Sequence, residues 1–200
     1  DLGKFVNTYL QEPGKFQFKK IIPDPQVVLD TMMPEPGQGG PAEAVGDREV
    51  ELMAQAILCS YPKGNKVDIF YPEVKNSKDL IEFVRAQRPQ VEFWARRSLL
   101  CAAETGYPGW YSWRCANWGT KWDCFGFKLI STSPVVFKFD TAWSFPLPIF
   151  EKLQEIYPCL VFETMSFDEG WNEATIGRFG PGISEIRVLK SQWIPIDTAA

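Results

Sequence analysis

Histidine is absent from all 200 residues. Without an imidazole the chain cannot build a Ser–His–Asp triad, a Cys–His dyad, a histidine general acid or a histidine-ligated zinc site. The five cysteines, Cys59, Cys101, Cys115, Cys124 and Cys159, are odd in number and show no CxxC spacing. That argues against a disulfide framework and a thiolate zinc site, and leaves reduced thiols in a cytoplasmic protein as the expectation. No apolar run approaches the roughly 18–20 residues that a membrane-spanning helix needs. Glycine clusters only at 37–40 and 177–182, neither between a strand and a helix, so a phosphate loop and a dinucleotide fingerprint are missing. Basic charge is also short, at 21 Lys and Arg against 25 Asp and Glu. The net charge of −4 disfavours nonspecific nucleic-acid binding, which draws on many Lys and Arg contacts to phosphate. No metal or cofactor is expected.

Aromatic residues are plentiful, at 14% of the chain within a hydrophobic fraction of 45%. Each buries roughly 150–250 Å², enough to build a large core. Four of the eight Trp residues fall in WYSWRCANWGTKW at 110–122.

The first half of the chain reads as helical. DLGKFVNTYL places Leu2, Phe5, Val6, Tyr9 and Leu10 on one helix face, and no secretory signal is visible there. FQFKKIIPDP at 16–25 reads as a short extended segment closed by two prolines. Residues 31–46, rich in Pro and Gly, read as a mobile loop. A helix is expected over 48–62, with Val50, Met53, Ala54, Ile57 and Leu58 on one face. KVDIFYPEV at 66–74 reads as a strand or extended arm. Asn76 or Ser77 caps a helix running to Gln87 and stopped by Pro89. A further helix is expected over 90–104, carrying Val91, Trp94, Ala95, Ser98, Leu99 and Ala102. Arg85, Arg88, Arg96 and Arg97 form either a solvated face or an anion-binding patch.

After residue 123 the period changes to two. CFGFKLIST (124–132) and PVVFKFDTAW (134–143) read as a hairpin around Ser133-Pro134. A helix is expected over 146–158, with Ile149, Leu153 and Ile156 as its inner stripe. A strand at 159–170 and a second hairpin, 172–180 with 184–190, complete the chain. The pattern indicates an α+β fold, an antiparallel sheet with helices on one face. No repeat is visible.

Two readings of the Trp-rich segment stay open. As a folding corner, Gly119 supplies the turn and the indoles wedge into the core, with Asp123, Asp140 and Glu163 as acceptors for their N–H groups. As an anchor for a partner, Arg114, Asn117, Trp118, Lys121 and Trp122 form the candidate site, because Trp and Arg dominate binding hot spots. Lys121 has either a carboxylate or a ring face within reach.

WYSWRCANWGTKWD at 110–123 resembles the signature of a ferredoxin-like family of unknown function, the YubB type, carried by plasmids, phages and genomic islands. FDTAWSFPLPIFEKLQEIYPCLVF at 139–162 resembles that family's second signature, and FQFKKIIPDP its early Phe-rich segment. The resemblance runs from about residue 15 to about 170. NWGTKW at 117–122 is its specific part. It implies a ferredoxin-like, split βαβ layout; the chain is read as a single such domain over 1–200, with a helical insertion at 60–105 that departs from the family. The family's first strand, which contains Asn, has no counterpart here, and residues 184–200 extend past the match. No reaction comes with the resemblance.

Three functions follow as expectations. The first is a non-catalytic module of a mobile genetic element that binds a protein, an inhibitor of a host defence factor among the options. The second is a single-stranded nucleic-acid binder stacking bases on Phe125, Phe127, Phe137 and Phe139, although those rings suit a core better. The third is an enzyme using carboxylates such as Glu163 and Asp168. A protein partner without membrane association is the leading expectation.

Overall fold

The computed structural model describes residues 1–11, 16–32, 47–58, 76–170 and 172–190. In chain order the elements are α1 (Leu2–Tyr9), α2 (Phe18–Ile21), α3 (Gln26–Leu29), α4 (Asp47–Ile57), α5 (Ser77–Gln87), α6 (Pro89–Thr105), α7 (Trp110–Asn117), β1 (Phe125–Thr132), β2 (Val135–Asp140), α8 (Leu147–Ile156), β3 (Phe162–Phe167), β4 (Glu173–Gly180) and β5 (Ile183–Lys190). The fold is α+β, and the strands and helices after residue 123 follow the order expected from the sequence. The chain divides into two compact units, Asp1–Asp24 with Arg114–Ala200, and Pro25–Trp113.

The first unit holds all the strands among the described residues. They form two antiparallel sheets, β1–β2 and β3–β4–β5, where a single sheet was expected. Alternation along a strand says which side chains face inward, but not which strand pairs with which. The aromatic core is nonetheless continuous across both sheets. Phe5 of α1 lies 6.1 Å from Phe137 of β2 and 5.3 Å from Phe162 of β3, ring centre to ring centre. Phe16 meets Phe137 and Phe139 at 5.1 and 5.0 Å, and Phe150 of α8 stacks on Phe179 of β4 at 5.5 Å. Burying each such ring contributes roughly 1.5–3 kcal/mol.

Two local expectations fail here. Residues 18–21 are a helical turn rather than an extended segment. Phe18 and Ile21 are both buried, and a spacing of three puts them on one face only in a helix. In α8 the inner stripe is Ile149, Phe150 and Leu153, and Ile156 is 40% exposed at the helix end.

The described residues of the second unit are mainly helical. Val50, Leu52, Met53 and Ala56 of α4 pack with Leu80 and Val84 of α5 and Val91 and Ala95 of α6. Leu52 and Ala56 take the place expected for Leu58, which is exposed. Asn76 caps α5 as expected, its side chain accepting the N–H groups of Lys78 and Asp79 at 2.9 and 3.0 Å. Pro89 opens α6 and Gly106, at φ +81°, ends it. The arginines of this unit are paired. Arg85 and Arg96 share Glu92, Arg88 binds Glu49, and Arg97 donates to the carbonyl of Asp30 at 2.7 Å. The insertion expected at 60–105 falls within this unit's span. Its residues 60–75, the strand read at 66–74 and positions 33–46 of the Pro/Gly loop lie outside the described residues.

Candidate functional site

The Trp-rich segment starts as a helix. In α7, Trp113 is buried and Arg114 and Asn117 sit in the last turn. The chain leaves the helix at Trp118, whose N–H still reaches the Arg114 carbonyl at 2.7 Å. Gly119 then reverses direction at φ +79°. A Cβ there would stand 2.9 Å from the Phe145 carbonyl oxygen, so no larger residue fits without displacement.

Beneath this turn lies a buried layer. Trp118 is 1% exposed, and its Nε1–H donates to the Ile22 carbonyl at 2.8 Å. Phe18 meets its ring edge-on at 6.0 Å, and the Arg114 guanidinium lies 4.6 Å from its centre. Arg114 also grips Asp24 with two bonds, of 2.7 and 3.1 Å. Thr120, also 1% exposed, donates to the Ala142 carbonyl at 2.9 Å. The Ser144 hydroxyl donates to the Gly119 carbonyl. Asp123 accepts the N–H groups of Phe18 and Cys124 at 2.6 and 2.9 Å. Arg114, Trp118 and Asp123 are therefore parts of the corner, each held by bonds inside it. The acceptor for the Trp118 indole is a backbone carbonyl, not one of the three carboxylates expected. Asp140 belongs to the β1–β2 hairpin, where it pairs in register with Phe125, and Glu163 lies 3.6 Å from Arg178 on the face of its own sheet.

Above the turn is an exposed layer. Trp122 is 51% exposed and Trp143 is 79% exposed. Between them sits the Lys121 ammonium, 4.3 Å from the Trp122 ring centre and 3.4 Å from that of Trp143. Trp143 adopts φ +71°, the only non-glycine residue with positive φ among those described. A bulky side chain in that region costs about 1–2 kcal/mol, a strain found most often where a residue is displayed for function. The Thr120–Ala142 and Ser144–Gly119 bonds join residues 119–120 to residues 142–144, and so bring Trp143 beside Lys121 and Trp122. Sequence reasoning named Lys121 and Trp122 but missed Trp143. Its signal was the Thr-Ala-Trp end of the second motif, which reads as the end of a strand.

Other candidate groups have structural duties. Cys124 lines a groove of about 810 Å³ along β1, and its thiol donates to the Phe16 carbonyl at 2.8 Å. Burial, and then the neighbouring Asp123 carboxylate, push that thiol up to about 12, so it stays protonated at neutral pH. Asp168 closes the β3–β4 turn by accepting the N–H groups of Glu173 at 2.6 Å and Gly170 at 3.1 Å. Those bonds, Glu173 first, hold its carboxyl below the usual carboxylate range. Among the described residues no three Cys, Asp or Glu side chains gather to hold a metal ion, and no helix is long and apolar enough to cross a membrane. Compared with known proteins, the chain matches no family model, no curated protein and no solved structure.

Proposed function

We propose that this chain is a non-catalytic binding protein of a mobile genetic element. It docks on a protein of the host cytoplasm as an inhibitor of a defence factor, and the exposed rings of Trp122 and Trp143, which flank Lys121, are its anchor. The observation that carries the reading is the exposure of two indoles, at 51% and 79%, on a corner whose Trp118 and Thr120 are buried and hydrogen-bonded. Large aromatic side chains displayed on a rigid support are what binding hot spots use. The YubB-type kinship belongs to the same proposal. Its two signature segments, 110–123 and 139–162, meet through the Thr120–Ala142 and Ser144–Gly119 bonds. A ferredoxin-like arrangement is its finer fold reading, supported by the contacts of Phe5 with both Phe137 and Phe162. The test is affinity capture from host lysate with the wild type, Trp122→Ala and the internal control Val84→Ala. A protein retained by the wild type and the control but lost from Trp122→Ala is the expected result; equal capture by all three would sink the docking surface.

A second reading, single-stranded nucleic-acid binding, draws on the same two indoles, because base stacking needs exposed rings beside a cation. Of the four hairpin rings expected to serve it, Phe137 and Phe139 pack on Phe16 and Phe127 on Phe137, while Phe125 is 50% exposed. Salt-dependent binding of an oligothymidylate at micromolar concentration would favour this reading, and a flat titration at low salt would end it.

A further inference from the structure

We infer that the space between Trp122 and Trp143 recognises a cationic side chain of the partner, above all an arginine guanidinium, and that Lys121 is the chain's own occupant of that space, displaced on docking. The inference rests on the docking reading above and says what the anchor binds.

Two contacts of 4.3 and 3.4 Å to one nitrogen require the indole centres to lie within about 8 Å of each other. Both ring faces present negative quadrupole to whatever stands between them, and Trp does this more strongly than Phe or Tyr. A positive group is favoured there and a carboxylate is repelled. The opening takes about one flat group in contact with both rings, since such contacts need about 3.5–4 Å each. A guanidinium is flat, stacks on aromatic faces and sheds water more readily than an ammonium. It is therefore a better occupant than the lysine already present.

Lys121 is also a weak occupant. Among the described residues it forms no ion pair with a carboxylate; its contacts are with the two rings. An exposed cation–π contact changes an equilibrium by only about 2- to 5-fold, so displacement is cheap. If Lys121 were instead the anchor for an anionic ligand, its ammonium would be better presented to solvent than laid 3.4 Å over the Trp143 ring. The net charge of −4 points the same way, since an acidic chain draws a basic partner surface to itself.

The test is a titration of the intact chain with N-acetyl-arginine amide, and with N-acetyl-glutamate amide as the oppositely charged probe. The indole Nε1–H resonances of Trp122 and Trp143 report binding, each assigned by its loss in Trp122→Phe or Trp143→Gly. The arginine probe should shift both resonances saturably, and Trp143→Gly should abolish the response at Trp122. Lys121→Ala should tighten binding by about 2- to 5-fold, the inverse of the contact it removes. Weaker or unchanged binding in Lys121→Ala, no response in either protein, or shifts caused by the glutamate probe would overturn the inference. The two claims fail separately. A captured partner lost with Trp143→Gly but also weakened by Lys121→Ala leaves docking intact and removes the cation assignment. A partner still held by Trp143→Gly removes docking itself.

Discussion

Trp118 and Trp143 are the same residue type a short distance apart in one corner, and they do opposite things. Trp118 is sealed in with its N–H on the Ile22 carbonyl; Trp143 stands in solvent on a strained backbone. The sequence shows the density of Trp but not this division, because burial depends on contacts with residues 18–24 and 142–144, far along the chain. Trp143→Gly is expected to keep the fold and to raise stability by up to about 1 kcal/mol, because glycine adopts positive φ without strain. A urea midpoint clearly below that of the wild type would contradict the strain. Cysteine chemistry divides by burial in the same way. Cys115 and Cys159 are exposed, whereas the Cys124 thiol is held protonated with a pKa of about 12. Mass spectrometry after brief iodoacetamide treatment at pH 8 should find the first two alkylated and Cys124 intact.

Elements were mostly legible. The Asn76 cap, the Pro89 start and the two hairpins rest on local chemistry that the sequence displays directly. The helical turn at 18–21 was missed because two prolines and alternating Phe residues mimic an extended segment. The turn at Gly119 makes a sharp prediction: Gly119→Ala forces a side chain into both a positive φ and a 2.9 Å approach to the Phe145 carbonyl. A loss of about 2–3 kcal/mol is expected by urea denaturation. The guanidinium of Arg85 on α5, with Arg96 beside it, draws the carboxyl of Glu92 on α6 down to about 2 from an ordinary 4.5. A carboxyl lowered in this way stabilises the folded chain above pH 4.5, and the contribution fades as pH falls towards 2. Arg85 and Arg96 are more than half exposed, so the contribution is under about 1 kcal/mol. The stability gap between wild type and Glu92→Gln should therefore be present at pH 7 and close by pH 2; a constant gap would refute the pairing.

At the scale of the whole molecule, what the sequence conceals is pairing across distance: two sheets rather than one. Alternation and periodicity are local signals, and neither reports which segments meet. One long-range contact has a direct consequence. The Arg114–Asp24 pair, with side chains 12% and 5% exposed, joins the two chain ends from which the helical unit departs. Replacing residues 26–112 with a short Gly-Ser linker should leave the first unit folded, its Trp118 indole still protected from exchange. Arg114→Met should destabilise that unit by about 3 kcal/mol, because it strands a buried Asp24 carboxylate. The account's central claim is that the exposed indoles, not the buried corner, carry binding. It is tested most directly by quantifying host protein captured by Trp143→Gly relative to wild type, with equal folding verified by circular dichroism. The account predicts a loss of at least about 10-fold for a specific partner, as for other aromatic hot spots; capture equal to wild type would contradict it.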